Sequence, residues 1–331
     1  MGSTAVDWLL HSREPAVRYL TRRDVLGRPA RNEAARILRG PKVRALFAGQ
    51  RRDGGFGGHP YKKWTGAHWR LISLVELAVP PGEPRAVAAA ETVLAWLTSP
   101  GRRRSLRVVN GLVRRCASQE GNALAVCSRL GLAGDPRVAQ LARSLVEWQW
   151  PDGGWNCDDR ASGRRSSFHE SLAPAWGLYE FAASTGAAWA REAAERTAEL
   201  FLQHRLFRSL STGEPIHPSW VALHYPPYWH YDILQALLVL SRMGKADDPR
   251  AVDALEELER KRLPDGRWRP DAAWWQRPGS ARAVEAVDWG RSGPNEMITL
   301  NALRVLRAAG RQPAKPAVCS ASTASQPSSR A

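Results

Sequence analysis

The chain has few cysteines and no long apolar runs. Four cysteines occur in 331 residues, which is too few for a disulfide framework in a chain of this length, so we expect reduced thiols. No stretch approaches the ~20 consecutive apolar residues of a membrane span. The N-terminus also lacks the basic and then apolar pattern of a signal peptide. We therefore expect a soluble, cytoplasmic protein.

Lysine is also scarce, although the chain is strongly basic. Only six of the 48 basic residues are lysine, and the formal net charge is +16. An excess of this size suggests an anionic partner such as nucleic acid, lipid head groups or a phosphorylated substrate. Arginine together with abundant alanine and glycine is also typical of a GC-rich genome, which explains the charge without a function. No zinc finger, RNP sequence or glycine-rich phosphate loop supports nucleic-acid binding.

What the sequence does contain is a repeated turn between helical segments. The clearest copy spans 149–155 (QWPDGGW), where Gly153 and Gly154 allow a backbone with positive φ. Similar turns occur at 50–56 (QRRDGGF) and at 263–268 (LPDGRW). Each turn follows one helical pattern and precedes another. Three copies of this plan predict an array of α-hairpins.

The hairpins are expected to close into a ring. A short repeat cannot bury its own apolar face, so neighbouring repeats stack, and closure of the ring covers both ends. We therefore predict an all-α fold, an (α/α) toroid of about five to six helical hairpins. Residues 1–30 are expected to form an N-terminal helical extension, 31–311 the toroid and 312–331 a disordered tail. The predicted outer and inner pairs are 34–50 with 67–79, 84–98 with 119–132, 136–149 with 167–184, 187–207 with 229–243, and 249–262 with 295–309.

The turns resemble the Gln-Trp repeat, Q-x-x-D-G-G-W, of the terpenoid cyclase and protein prenyltransferase superfamily. Whole-chain features are also similar to a smaller bacterial group of squalene-cyclase-like proteins, at 64–69 (WTGAHW), 153–157 (GGWNC), 167–169 (SFH) and 229–232 (WHYD). The resemblance covers roughly residues 8–309. It implies a toroid and an enzyme that handles an isoprenoid, by cyclisation or by prenyl transfer.

Each predicted inner helix begins with polar and aromatic residues. If all hairpins run the same way around the ring, these residues converge on one end of it, here called the mouth. Helix N-termini favour an anion such as a diphosphate, and aromatic walls suit an isoprenoid chain. The plainer interpretation of each tryptophan is core packing. The residues expected to bind substrate are Lys63, His68, Trp69, Arg115, Asn122, Trp155, Tyr228 and Trp229.

A cyclase needs an acid strong enough to protonate an alkene or an epoxide. Enzymes of the squalene–hopene type carry this acid in a D-x-D-D sequence, and the nearest match here, 156–159 (NCDD), lacks the first aspartate. The sequence therefore does not favour proton-initiated cyclisation. Carboxylates and imidazoles near the mouth can still supply acid, base or metal functions. Those expected to be catalytic are Asp158, Asp159, His169, His230 and Asp232.

Zinc is the cofactor that the resemblance suggests, because prenyltransferase β subunits hold it through an Asp, a Cys and a His at inner-helix starts. In this chain the comparable residues are Cys116, Cys157, His230 and Asp232. Three protein ligands leave a position open for chemistry. Their spacing matches no short zinc pattern. The alternative is that Cys157 is a small buried residue and that the histidines cap helices or bond Tyr and Asp neighbours.

Two classes of function remain open. The first is an enzyme that binds a polyprenyl or triterpenoid-like substrate in the central cavity. The second is a non-catalytic toroid that binds a peptide, a protein or a lipid, since one fold serves enzymes and binding proteins alike. We expect a small-molecule isoprenoid partner, no nucleic acid and at most a peripheral contact with a membrane.

Overall fold

The computed structural model of the chain describes residues 4–282 and 284–311, and its regular secondary structure is almost all helical. A short antiparallel hairpin, β1 (Arg107–Val109) and β2 (Leu112–Arg114), lies between α7 and α8. The predicted disordered tail, 312–331, lies outside the described residues. The helices are α1 (Ala5–Leu10), α2 (Pro15–Leu20), α3 (Arg31–Ala34), α4 (Pro41–Phe47), α5 (Ala67–Glu76), α6 (Pro84–Leu97), α7 (Pro100–Arg104), α8 (Ala117–Arg129), α9 (Pro136–Trp148), α10 (Phe168–Thr185), α11 (Ala188–Gln203), α12 (Ile233–Arg242), α13 (Val252–Arg260) and α14 (Glu296–Ala308).

Outer and inner helices differ in how much of their surface is buried. The outer helix α9 buries Val138, Leu141, Ala142 and Leu145, which form one apolar stripe at helical spacing. Its N-terminus is capped by the Asp135 side chain, which accepts a hydrogen bond from the Arg137 N–H. The inner helix α8 instead buries every residue from 117 to 128, because protein surrounds it on all sides. Among the described helices, none is long and apolar enough to cross a bilayer.

The inner helices follow one another around a ring. Helix α5 contacts α8, α8 contacts α10, α10 contacts α12, and α12 contacts α14. The outer helices α6, α9, α11 and α13 pack on these inner helices from outside. The expected all-α fold of stacked helical hairpins, an α/α toroid, is confirmed.

The N-terminal helices take a place in this ring. Helix α2 continues into a π-helical turn, Thr21–Val25, and both segments pack against α14. Asp24 in this turn pairs with the buried guanidinium of Arg304 on α14. On the other side, Tyr19 shares a cleft with Val75 near the end of α5. The region expected to be an extension therefore lies between α14 and α5. There α1 is the outer helix and α2 the inner helix of a sixth pair.

The repeated turns join neighbouring outer helices. The amide Nε2 of Gln149 donates to the carbonyl oxygens of Gly153 in its own turn and of Ala193 in α11, both at 2.9 Å. Gln50 repeats the arrangement with the carbonyl oxygens of Gly54 and Arg85, at 2.9 and 2.8 Å. Each turn then leads the chain to the start of an inner helix. The inner helices therefore begin at one end of the ring, the mouth, and finish at the opposite end, here called the base.

Helices α8 and α10 pack with their backbones in contact. A Cβ atom added at Gly121 would lie 2.3 Å from the backbone nitrogen of Pro174, and one added at Gly177 would lie 2.3 Å from the carbonyl oxygen of Gly121. Real Cβ atoms do not approach backbone this closely, so glycine is required at both positions. This close contact fixes the distance between the starts of the two helices.

We predict that Gly121→Ala destabilises the fold by about 2 kcal/mol, because the new methyl group has to push two helical backbones apart. The free energy of unfolding from urea titrations measures the effect. Gly101→Ala is the matched control, since Gly101 is also helical but has no atom within 4 Å of an added Cβ. The control should be neutral or slightly stabilising. Equal effects of the two substitutions would contradict the close-packing account.

Candidate functional site

Two thiols and a carboxylate meet at the mouth between α8 and α10. The ligating atoms of Cys116, Cys157 and Glu170 all lie within 4.8 Å of one another. The Cys157 thiol is 3.7 Å from Oε1 of Glu170, and the backbone N–H of Ser118 donates to Oε2 at 3.0 Å. Cys116 immediately precedes α8, and Glu170 lies in the first turn of α10. The close packing of these helices therefore brings the two residues together.

Backbone pairing places the second thiol beside the first. Arg114 at the end of β2 forms a parallel bridge with Asn156, and the N–H of Arg115 donates to the carbonyl oxygen of Asn156 at 3.1 Å. The next residues along the two segments are Cys116 and Cys157. They lie side by side although 41 positions separate them in the sequence. Both thiols were predicted from the sequence as metal ligands, but Glu170 was not.

The two thiols of the cluster shift each other's pKa in opposite directions. A hydrogen bond from Cys157 lowers the pKa of Cys116, while the same interaction and the nearby Glu170 carboxylate raise the pKa of Cys157. Burial raises the pKa of Glu170 despite its hydrogen bonds to Ser118. A divalent cation would replace the protons that these groups share, because metal ligands bind in their deprotonated forms.

Arg115, expected to bind substrate, is instead engaged beside this cluster. Its guanidinium is 7% exposed and contacts Oε1 of Glu120 at 2.8 and 3.0 Å. Arg102 reaches the same carboxylate oxygen at 3.0 Å. One carboxylate thus lies between two cations, and the partly buried Arg102 lies nearer the surface.

The histidines form a second group at the mouth, at the start of α12. Nδ1 of His224 is 2.6 Å from Oδ2 of Asp232, and both side chains are buried. Asp232 also accepts hydrogen bonds from the backbone N–H groups of His224 and Gln235, so it caps α12. Burial alone would lower the pKa of His224, but the Asp232 carboxylate raises it above the ordinary value. Asp232, expected to be catalytic and to bind metal, is therefore occupied by structural contacts.

His230 is held between aromatic rings. It stacks on Trp229 at 4.0 Å and on Trp274 at 4.3 Å between ring centroids. Burial and the neighbouring cationic groups lower the pKa of His230 to about 2, so the ring is neutral at physiological pH. His169 accepts a hydrogen bond from the N–H of Tyr231 at 2.8 Å, and burial lowers its pKa to about 4. Neither His230 nor Asp232 belongs to the cluster of Cys116, Cys157 and Glu170.

Other aromatic residues close the mouth above the ring interior. Trp64 stacks on Tyr228 at 4.9 Å, and Asn122 donates to the carbonyl oxygen of Tyr228 at 2.9 Å. The ammonium of Lys63 lies 5.2 Å from the ring of Trp64 and 5.1 Å from that of Trp229. These distances are typical of cation–π contacts. Lys63 is exposed, so a cation and an aromatic surface face solvent together.

Three further residues expected at the site lie in the core. Trp69 is 1% exposed, and its indole N–H donates to the carbonyl oxygen of Tyr61 at 3.0 Å. Trp155 is equally buried and donates to the carbonyl oxygen of Leu145 at 2.9 Å. Burial lowers the pKa of His68 to about 3. Their contacts are those of packing residues.

Asp158 and Asp159 lie on the surface of the loop that follows the repeated turn. Asp158 pairs with Arg160, which lowers the pKa of the Asp158 carboxyl to about 2. Asp159 pairs with Arg107 on β1. Asp158 is therefore ionised at neutral pH and has no proton to donate, as an acid that initiates cyclisation would require.

Glu285 is a buried acid that sequence analysis missed. It is 0% exposed and accepts hydrogen bonds from the Tyr228 hydroxyl and from the Ala286 N–H. Burial raises the pKa of Glu285 from an ordinary value of 4.5 to about 7. Glu285 stands in a loop between α13 and α14 without a motif, and therefore no sequence signal distinguishes it from a surface glutamate.

The interior of the ring is nearly filled. A cavity of about 30 Å³ remains, with room for one or two water molecules. Its walls include Asn122, Trp176, Tyr228 and Trp229. At the base, Glu76 bridges Arg129 and Arg242 at 3.1 and 2.8 Å, which lowers the pKa of Glu76 although burial opposes this. This ion network closes the base of the ring.

Comparisons with known proteins add little to this geometry. No family model matches the chain, and no curated relative matches it. Among solved structures, it is similar to a protein from Actinoplanes, with 20% identity, a TM-score of 0.42 and 90% of both chains covered. It is also similar to the GH76 α-mannanase of Bacteroides thetaiotaomicron, with 13% identity, a TM-score of 0.39, and 73% of this chain and 68% of that chain covered. Likenesses this weak carry no argument about function.

We predict that Glu285→Gln removes a pH-dependent loss of stability. A folded-state pKa above the unfolded value means that the neutral acid favours folding, so the parent loses stability as pH rises from about 4.5 to about 7. The variant should gain up to about 3 kcal/mol relative to the parent between pH 4 and pH 8. Urea unfolding at both pH values measures this difference. Glu192→Gln, on the exposed face of α11, should show no such gain, and a flat Glu285→Gln difference would contradict the buried-acid account.

Proposed function

We propose that the chain is a zinc-dependent enzyme whose reaction centre lies at the mouth, between the starts of α8 and α10. The observation that carries this proposal is the convergence of Cys116, Cys157 and Glu170 within 4.8 Å. Thiolate and carboxylate are both common zinc ligands, and sulfur ligands disfavour magnesium and calcium. Three protein ligands leave one position open, as in catalytic rather than structural zinc sites.

The ligand set of this proposal differs from the one expected from the family resemblance. Cys116 and Cys157 are retained, while Glu170 replaces His230 and Asp232. His230 is stacked between two tryptophans, and Asp232 caps α12 and pairs with His224. A side chain with such contacts would have to abandon them in order to bind a metal. Glu170 needs only to give up the contact with the Cys157 thiol.

A zinc ion at this place would act as a Lewis acid or lower the pKa of a bound water or thiol. The residues around it would perform the remaining tasks. The buried backbone N–H of Ser118 orients the Glu170 carboxylate, at 3.0 Å. The exposed Cys157 leaves the centre open to solvent and therefore to a substrate. Arg102, whose guanidinium pairs with Glu120, provides positive charge close to the centre.

An isoprenoid is the substrate class that we retain. The support is the exposed side of the mouth, where the Lys63 ammonium lies over the ring of Trp229 and Trp274 is 42% exposed. A cation beside aromatic rings suits a diphosphate joined to an apolar chain. Ligand pockets usually measure roughly 300–1,000 Å³, so the interior cavity of about 30 Å³ cannot hold a polyprenyl chain. We therefore propose that the polyprenyl chain of the substrate lies across the aromatic side chains at the mouth.

A non-catalytic binding toroid is the second candidate. The filled interior and the surface positions of Asp158 and Asp159 favour it. The two candidates differ in whether a bound prenyl diphosphate is consumed. Retention of the intact compound by zinc-loaded protein, with no product by mass spectrometry, would support the binding function over catalysis.

We predict about one zinc ion per chain in protein purified without a metal-binding tag. Cys157→Ala and Glu170→Gln should each lose most of it, because each removes one of three ligands. Metal analysis on folded protein, verified by circular dichroism, measures the content. Cys127→Ala is the control, since Cys127 is buried elsewhere on α8 and should leave zinc in place. His230→Ala should also retain zinc. Loss in that variant, or a Cys116–Cys157 disulfide in place of metal, would refute the proposed ligand set.

We predict that Lys63→Ala weakens binding of farnesyl diphosphate roughly tenfold, because it removes the cation that faces the mouth. Isothermal titration measures the dissociation constant at one salt concentration. Lys62→Ala is the matched control, because it removes an equal charge from the neighbouring exposed position. If the two variants weaken binding equally, general charge attraction rather than the proposed subsite explains the affinity.

A further inference from the structure

The two ends of the ring carry different charge. The connections at the mouth, 11–14, 48–66, 98–116, 149–167, 204–232 and 261–295, contain 23 Lys and Arg residues and 11 Asp and Glu residues. The connections at the base, 26–40, 77–83, 130–135, 186–187 and 243–248, contain five of each kind. The mouth connections are more than three times as long in total, so basic residues are about equally frequent at both ends, and the mouth differs in having fewer acidic residues per position. A genome-wide preference for arginine does not explain this shortage of acidic residues, which leaves a net positive charge at the mouth.

Part of this charge has no counter-charge within the protein. Arg103 and Arg104 on α7, and Arg164 and Arg165 in the loop before α10, are exposed. None of these four guanidinium groups has an ion-pair partner among the described residues. By contrast, Arg107 and Arg160 on the same face are paired with Asp159 and Asp158. The unpaired cations are available to an external anion, and two of them lie next to the hairpin of β1 and β2.

The same face carries apolar side chains that the fold does not bury. The large hydrophobic residues that are exposed in the described part of the chain are Val108 at 62%, Leu210 at 68%, Ile216 at 40% and Trp274 at 42%. All four stand in mouth connections, and they come from three different connections around the ring. Single exposed apolar residues are ordinary on a protein surface. Their restriction to the basic end of the ring is what requires an explanation.

We propose that the mouth is a docking face for a membrane surface rich in anionic phospholipid. Arginine and lysine near such a surface are attracted by its negative potential, and apolar tips gain by entering the region between head groups and acyl chains. Neither signal suffices alone, but charge and apolar insertion together give stable and reversible attachment. Nucleic acid would use the cations but would leave Leu210 and Val108 without a partner. This inference depends on neither zinc nor an isoprenoid substrate.

Vesicle co-flotation of the full chain tests the proposal. Binding should be strong to vesicles of phosphatidylcholine mixed with phosphatidylglycerol, weak to phosphatidylcholine alone, and lower at high salt. Arg103→Glu combined with Arg104→Glu should reduce the partition coefficient at least roughly tenfold. Val108→Ser combined with Leu210→Ser should also reduce it roughly tenfold, because two apolar tips are lost. All four residues lie outside the proposed zinc and prenyl sites.

A base-side variant is the matched control. Arg28→Glu combined with Arg36→Glu makes the same charge change at exposed positions on the opposite end, and it should leave vesicle binding nearly unchanged. An equal loss in this control would mean that net charge drives binding, which would overturn the docking face. Full binding by the Val108→Ser and Leu210→Ser protein, together with competition by RNA, would assign the cations to nucleic acid instead. Absence of binding to anionic vesicles would also refute the proposal.

Discussion

The contact between the backbones of α8 and α10 is the constraint on which the rest of the structure depends. Gly121 and Gly177 allow the two helices to touch, and no residue with a Cβ atom fits either position without moving them. Because the helices touch, Cys116 before α8 and Glu170 at the start of α10 approach each other. The backbone bond between Arg115 and Asn156 then adds Cys157 to the group. A packing contact in the core thus determines the geometry of the candidate centre.

Filling of the ring leaves too little room for a substrate at its centre. Aromatic side chains occupy the upper interior, and the ion network of Glu76, Arg129 and Arg242 closes the base. What remains inside is a space of about 30 Å³. Buried imidazoles such as His230 stay neutral there because a charged ring would lose its hydration. The groups that can meet a substrate are therefore those around the mouth.

The mouth combines features that are separate in the sequence. The thiol cluster, the exposed cations and the exposed apolar tips all lie in connections that run from an outer helix to an inner helix. In a ring of hairpins these connections meet at one end, while the shorter connections meet at the other. The proposed metal site, the proposed substrate site and the proposed docking face therefore all depend on these connections rather than on the helices. An apolar substrate delivered from a membrane would reach the proposed centre without crossing water.

The sequence by itself determined most of the helices, the repeated turns and the ring, because these follow from local periodicity, capping residues and the need of each hairpin to bury its apolar face. The predicted outer helix 34–50 is instead divided into short helical segments, and the inner helix predicted from 229 begins at Ile233. It also pointed to Cys116, Cys157 and the end of the ring where they lie. Only the tertiary structure decided that Glu170 joins the thiols, that Glu285 is buried beside Tyr228, and that Asp232 and Arg115 are already paired. Burial and pairing depend on residues far apart in the chain, and no local pattern records which distant side chain a charged group will meet.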